Sequence, residues 1–160
     1  DEPAFPAGCP DDLLRTAGCF MRSYFYLDPE ELERDWEKIE PILGSVVSRA
    51  VHGEFDCSDL KAMAQSKRIV IGAFFDDDGV ILLAFAFEFR FYPKKTAVNI
   101  LALGGKRMDA VFSEFLDQFR DWAAAAGADF LEASCSRGMS RMLAKYGYVD
   151  TYRQLRLNLR

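Results

Sequence analysis

Thr96 to Ala126, TAVNILALGGKRMDAVFSEFLDQFRDWAAAA, is the stretch on which the fold of this chain turns. Thr96 to Leu103 is an aliphatic run of strand length and reads as a β-strand. Gly104-Gly105 follows where the chain must turn into a helix, with dihedral angles that glycine tolerates best. From about Lys106 to Ala126, Val111, Phe112, Phe115, Leu116, Phe119, Trp122 and Ala123 recur at spacings of three and four, opposite Glu114, Asp117, Gln118 and Asp121. That is one wide apolar stripe on a helix that packs on a sheet.

Outward from this unit, Arg68 to Phe75 and Val80 to Tyr92 are rich in β-branched and aromatic residues, and Asp76-Asp77-Asp78-Gly79 supplies turn chemistry between them. The pattern predicts an antiparallel hairpin. In its second strand Phe85, Phe87, Phe89 and Phe91 share one face, with Ala84, Ala86, Glu88, Arg90 and Tyr92 on the other. After the long helix, Gly127 is placed to cap it and Ala128 to Cys135 reads as a strand. A short helix starts near Ser136, presents Met139, Met142, Leu143 and Tyr146 on one face and ends at Gly147; Tyr148 to Asn158 completes the series as a last strand. Toward the beginning, Asp28-Pro29-Glu30-Glu31 starts a helix with the buried stripe Leu32, Trp36 and Ile39. Pro41 is expected to break or kink it, making Ile42 to Val51 a second piece and Ser58 to Gln65 a further short helix. Phe20 to Leu27 is the candidate first strand.

The chain has 160 residues, half of them hydrophobic and 14% aromatic, enough to bury a substantial core without metal or disulfide help. One domain is expected, with no internal repeat and no interdomain linker. A formal charge of -5 makes sequence-independent binding to nucleic acid unattractive. Arg137, Arg141 and Lys145 line one side of the short helix, and Arg153, Arg156 and Arg160 follow. Such a stripe reads as a solvated face or as contact with an acidic partner or phosphates. No run approaches the ~20 apolar residues of a membrane span, and the beginning lacks the basic-then-apolar order of a signal peptide, so a cytoplasmic protein is expected. Cys9, Cys19, Cys57 and Cys135 show no Cys-x-x-Cys spacing and His52 is the lone histidine, so no metal site is expected and the thiols read as free.

The order of elements resembles the Gcn5-related N-acetyltransferase (GNAT) superfamily over roughly the last two thirds of the chain. The most specific pieces are Trp122-Ala123-Ala124-Ala125-Ala126-Gly127-Ala128 and Met142-Leu143-Ala144-Lys145-Tyr146-Gly147-Tyr148, the latter similar to the family's apolar-x-x-Lys-x-Gly-aromatic ending. A weaker likeness is to the short acetyltransferase-like proteins of tailed phages, which would put the protein in host cytoplasm. The resemblance implies a single α/β domain with a central mixed, mostly antiparallel sheet flanked by helices. Residues 28–160 would form the acyl-CoA-binding domain, and residues 1–27 an extension packed on it that holds the candidate first strand.

The resemblance further implies acetyl-CoA as cofactor, its pyrophosphate on backbone N–H groups of the loop and first turn of the long helix, and its pantetheine between two splayed strands. Mapped here, the cofactor-binding candidates are Leu103, Gly104, Gly105, Lys106, Arg107, Asp109 and Ala110, and the splayed strands are Thr96 to Leu103 and Ala128 to Cys135. Two departures stand out. Ala110 and Phe112 occupy the family's two small positions, and a phenyl ring there crowds a pyrophosphate unless it points into the core. Leu143 stands where many members carry a Tyr that protonates the departing thiolate, and Tyr146 cannot replace it.

Glu88 is the candidate general base and Asn99 a candidate contact to the acyl group. Glu88 and Arg90 share a strand face two residues apart, so a mutually paired or solvated set is the plainer reading. Gly104 to Arg107 reads equally as an anion cradle or as a strand-to-helix turn with exposed cations. Met139 and Met142 read as core, and Cys135 as an inert thiol. Two functions stay open. One is acetyl transfer from acetyl-CoA to an amine-bearing small molecule or protein by direct attack. The other is a catalytically inactive binding protein, such as a phage protein that captures or inhibits a host component. Exposed edge strands offer a route to a homodimer.

Overall fold

The computed structural model describes residues 22–50, 52–105 and 108–160. Its elements are β1 (Arg22–Tyr26), α1 (Pro29–Ala50), α2 (Cys57–Gln65), β2 (Val70–Phe75), β3 (Ile81–Phe91), β4 (Thr96–Gly105), α3 (Met108–Ala125), β5 (Phe130–Ala133) and α4 (Arg137–Ala144). The strands form one five-stranded sheet in the order β1-β2-β3-β4-β5. The first four pair antiparallel, whereas β4 and β5 run parallel. A parallel neighbour needs a crossover, and α3 is that crossover. The architecture is the expected α/β domain with a mixed, mostly antiparallel sheet.

The sheet is buried on both faces. Phe25, Phe85, Phe87 and Val98 face α3, where Val111, Phe112, Phe115, Leu116, Phe119 and Ala123 form its buried stripe, as their spacing predicts. Ring centroids of Phe25 and Trp122 lie 4.6 Å apart, and those of Phe85 and Phe115 4.8 Å apart, mostly in edge-on or tilted arrangements that suit the ring quadrupoles. Ala84, Ala86 and Ala102 face the other way, small enough to let α1 and α2 approach with Leu32, Trp36, Ile39, Leu43, Val47 and Leu60. The period-2 pattern of β3 therefore separates an aromatic layer from an alanine floor.

Turns and caps follow their sequence signals. Asp76 Oδ1 accepts from the backbone N–H of Asp78 and of Val80 at 2.9 Å each, and Gly79 takes φ +79°, which closes the β2–β3 hairpin. Asp28 Oδ1 accepts from Glu30 N at 2.9 Å to start α1. Asp56 and Asp59 exchange side-chain bonds with each other's backbone in a capping box that starts α2. Ser136 caps α4 by accepting from Met139 N at 3.3 Å.

Three expectations are corrected. Pro41 does not divide the first helix: α1 is continuous over 22 residues. Its buried residues keep one phase across the proline, which faces solvent, so packing of a whole stripe outweighs one missing hydrogen bond. Gly104 and Gly105 are not a loop, because β4 runs through them and pairs them with Ala84 and Leu83. Tyr148 to Asn158 does not form a strand. The alternation is present, but no ladder accompanies it, and a strand needs one. Val149, Tyr152, Leu155, Leu157 and Leu159 are all at least 79% exposed there.

Candidate functional site

Two local features converge on the β3–β4–β5 side of the sheet. The first is a fork. Parallel pairing of β4 with β5 runs from Ala97↔Phe130 to Ile100↔Ala133 and ends there, while β4 continues to Gly105 with β3 as its neighbour on the other side. A register shift marks the same place: Ala86 opposes Ala102 but Phe87 opposes Ile100, which leaves Leu101 as an extra residue. Bulges of this kind bend a strand and recur next to active sites. Beyond the fork, Leu101 to Gly105 present one edge of backbone with no β5 partner. The helix α3 begins at Met108, just past the end of that edge.

The second feature is a polar row across three adjacent strands. Glu88 opposes Asn99 in β3–β4, and Asn99 opposes Glu132 in β4–β5, so the three side chains share the sheet face that α1 and α2 cover further along. Asn99 is 5% exposed and donates from Nδ2 to Glu88 Oε1 at 3.1 Å. Arg90 donates from Nε to the same oxygen at 3.0 Å and from a terminal nitrogen to Glu132 Oε1 at 3.4 Å. Tyr92 donates its hydroxyl to Glu132 Oε1 at 2.8 Å. The paired reading of Glu88 and Arg90 is what the geometry contains. The row lies one register position before the fork.

Glu132 and Tyr92 are members of this row that sequence reasoning did not single out. The available signal was parity: Glu132 alternates with Leu131 and Ala133, both packed against the α3-side core. A carboxylate at that phase of β5 lies on the opposite face, level with Asn99.

The remaining candidates separate. Gly104 and Gly105 are required by packing: a Cβ on Gly104 would lie 2.0 Å from Val46 Cγ2, and one on Gly105 would lie 2.1 Å from the Leu82 carbonyl oxygen. Leu103 is a core residue on the α3 side. Lys106 and Arg107 lie outside the described residues, as do the side chains of Asp109 and Ala110. Phe112 is fully buried in the α3-side core with its ring centroid 5.4 Å from that of Tyr146, so it points away from the strand end. Leu143 is 4% exposed and belongs to the same core, so it contributes no proton donor. Burial, and secondarily the charge of Asp150, push the Cys135 thiol up, which keeps it protonated and poorly nucleophilic. Among the described residues no group of three or more His, Cys, Asp and Glu side chains is arranged to hold a metal ion. None of the described helices is long and apolar enough to cross a membrane.

No family model and no curated protein matches the chain in sequence. Solved structures do match in shape. A probable acetyltransferase superposes with a TM-score of 0.68 at 13% identity, over 87% of this chain and 98% of that one. An aminoglycoside acetyltransferase from an uncultured soil metagenomic sample, in complex with trehalose, gives 0.63 at 10% identity, over 88% and 97%. A predicted acetyltransferase with acetyl-CoA from Clostridium acetobutylicum gives 0.62 at 15% identity, over 87% and 96%. With the forked β4–β5 pair, the α3 crossover and the α1–α2 layer, these likenesses establish the architecture: the chain has a GNAT-like fold.

Proposed function

We propose that this protein is an acetyl-CoA-dependent N-acetyltransferase that passes an acetyl group to an amine acceptor by direct attack. The observation that carries the reading is the position of the Glu88–Asn99–Glu132 row one residue from the β4–β5 fork. An extended chain bearing amide groups fits the backbone edge of Leu101 to Gly105, because that edge lacks a strand partner among the described residues and Phe112 is turned away from it. Arg107, with Lys106, Asp109 and Ala110, would hold the coenzyme's phosphates near the start of α3. Bound there, acetyl-CoA supplies an acyl group activated as a thioester.

The chain's own residues would then manage the amine. An ammonium acceptor must lose a proton before it can attack, and Glu88, the carboxylate at the β3 end of the row, would take it. Its Oε1 already carries Asn99 and Arg90, so the acceptor approaches a carboxylate whose orientation is fixed by two donors. Asn99, nearly buried, keeps that carboxylate level with the fork. Glu132 lies on the other side of Asn99 and shares Arg90 with Glu88, so an approaching acceptor meets two carboxylates bridged by one guanidinium. The second reading, a binding protein without turnover, draws on Leu143: a buried leucine at that position leaves the departing thiolate to take its proton from solvent.

Calorimetric titration with acetyl-CoA and CoA is the first test, with Arg107→Glu as site control because substitutions at Gly104 disturb packing. Micromolar binding weakened by Arg107→Glu, followed by turnover with a panel of amines that falls about 10²–10⁴-fold in Glu88→Gln, is the expected result. Binding without turnover of any amine favours the second reading. No heat and no thermal stabilisation at millimolar coenzyme would remove both the cofactor and the transferase.

A further inference from the structure

The polar row holds three open acceptors beside an exposed pair of rings. Asn99 gives its Nδ2 to Glu88, and among the described residues nothing donates to the other end of that amide, Oδ1. This oxygen is not sealed from solvent, because the Tyr148 hydroxyl is the one polar side-chain atom among the described residues that is both buried and unpartnered. On either side of it, the bonds from Arg90, Asn99 and Tyr92 all fall on Oε1 of Glu88 and of Glu132, which leaves Oε2 of each without a donor among the described residues. One guanidinium set against two carboxylates leaves the row with a charge of -1.

The rings extend the site away from the fork. The next positions on the same face of the three strands are Arg90, Ala97 and Phe130, with Ala97 buried between the other two. Phe130 stacks on Tyr92 with ring centroids 6.2 Å apart, and the two residues stay 41 and 44% exposed. The Tyr92 hydroxyl, bonded to Glu132 Oε1 at 2.8 Å, ties this platform to the row. Two residues of strand, ~7 Å at ~3.3 Å each, separate row from platform, a span for a short aliphatic linker. Three adjacent acceptors match the three hydrogens of a primary ammonium, and one surplus negative charge matches one cation. Beyond the rings the turn carries Lys94 and Lys95 against the single carboxylate of Asp129, which disfavours a second cation. We propose, resting on the transferase reading for the reaction itself, that the acceptor is an arylalkylamine. Its ammonium is held by Asn99 Oδ1 and the free oxygens of Glu88 and Glu132, and its aromatic ring covers the exposed faces of Tyr92 and Phe130.

The test is calorimetric titration of the full chain, with and without CoA, by phenethylamine, propylamine and spermidine. Phenethylamine should bind about 10–100-fold tighter than propylamine, the effect of covering one ring, and spermidine no tighter than propylamine. Phe130→Ala should bring phenethylamine down to the level of propylamine, whereas Glu132→Gln should weaken both amines by about 10-fold or more. Both side chains are partly exposed, so the variants should melt close to the wild-type temperature. Equal binding of phenethylamine and propylamine, tighter binding of spermidine, or no heat from any amine at millimolar concentration overturns the proposal. A ring preference that survives Phe130→Ala overturns it as well. Ring-selective amine binding by a chain that takes up neither CoA nor acetyl-CoA supports the amine site and removes the transferase, so the two fail separately.

Discussion

Asn99 donates from Nδ2 to Glu88 Oε1 at 3.1 Å across the β3–β4 ladder while itself 5% exposed. A buried amide that serves a carboxylate is expensive to replace by a group that cannot donate, because the partner is left under-solvated. Asn99→Leu should therefore cost about 1–3 kcal/mol in urea unfolding. Asn99→Asp should cost more than Asn99→Leu, since it sets a second negative charge against Glu88. Equal stability of all three proteins would show that the bond does not form in solution.

Gly104 lies hard against Val46 of α1: a Cβ built on it would be 2.0 Å from Val46 Cγ2. Valine cannot swing aside, because both rotor arms at its Cβ are occupied. Gly104→Ala should destabilise by about 1–3 kcal/mol through overpacking. In a Val46→Ala background the same change should cost well under half as much, a coupling that a double-mutant cycle in denaturant reads directly. Full cost in both backgrounds would mean that Gly104 is needed for its backbone and not for the space beside it.

Pro41 sits on the solvent side of α1, inside an unbroken helix. Proline there removes one i→i−4 bond and crowds the preceding turn, at a cost near 3 kcal/mol relative to alanine in an exposed helix interior. Pro41→Ala should raise the melting temperature, with an upper bound of about 3 kcal/mol in stability. A fall would reveal that α1 uses a bend at Pro41 to seat both ends of its stripe.

The places where sequence reasoning succeeded and failed share a cause. The α3 stripe, the Asp76–Gly79 hairpin and the Ser136 cap are legible because a single local rule decides each one. Pro41 defeats a local rule, since five buried residues in one phase, Leu32, Trp36, Ile39, Leu43 and Val47, outweigh it. Gly104-Gly105 reads as a turn from its composition, yet the glycines are there because α1 and β3 come too close for any side chain. Glu88 and Asn99 were recognisable as polar residues on apolar strands. Glu132 joins them only through the parallel register of β4 and β5, a pairing across α3 that no local pattern encodes.

Glu54 and Arg156 offer a titration. The hydrogen bond from Arg156, then one from its own backbone N–H, hold the Glu54 carboxyl down to about 2. A depressed carboxylate contributes to the folded arrangement at pH values above its ordinary pKa of 4.5, and the contribution is lost as pH falls from there through about 2. Nuclear magnetic resonance of the Glu54 side chain should show this low midpoint, and Arg156→Ala should move it up toward 4.5. An unchanged midpoint in the variant would mean that the C-terminal segment does not rest on the α1–α2 connection.

Tyr148 gives a prediction that runs against intuition about hydrogen-bonding groups. Its hydroxyl oxygen is buried and has no hydrogen-bond partner among the described residues, and burial pushes its pKa up to about 12. Removing an unsatisfied buried hydroxyl removes a desolvation penalty, so Tyr148→Phe should be neutral or stabilising by up to about 1 kcal/mol. The wild-type protein, with a folded pKa above the unfolded value near 10, keeps this contribution below pH ~10 and loses it as pH rises through about 12. Tyr148→Phe should therefore hold its melting temperature better than wild type between pH 10 and 12. A loss of more than ~1 kcal/mol at neutral pH would show instead that the hydroxyl is bonded in solution, through an ordered water within the α3–α4 core.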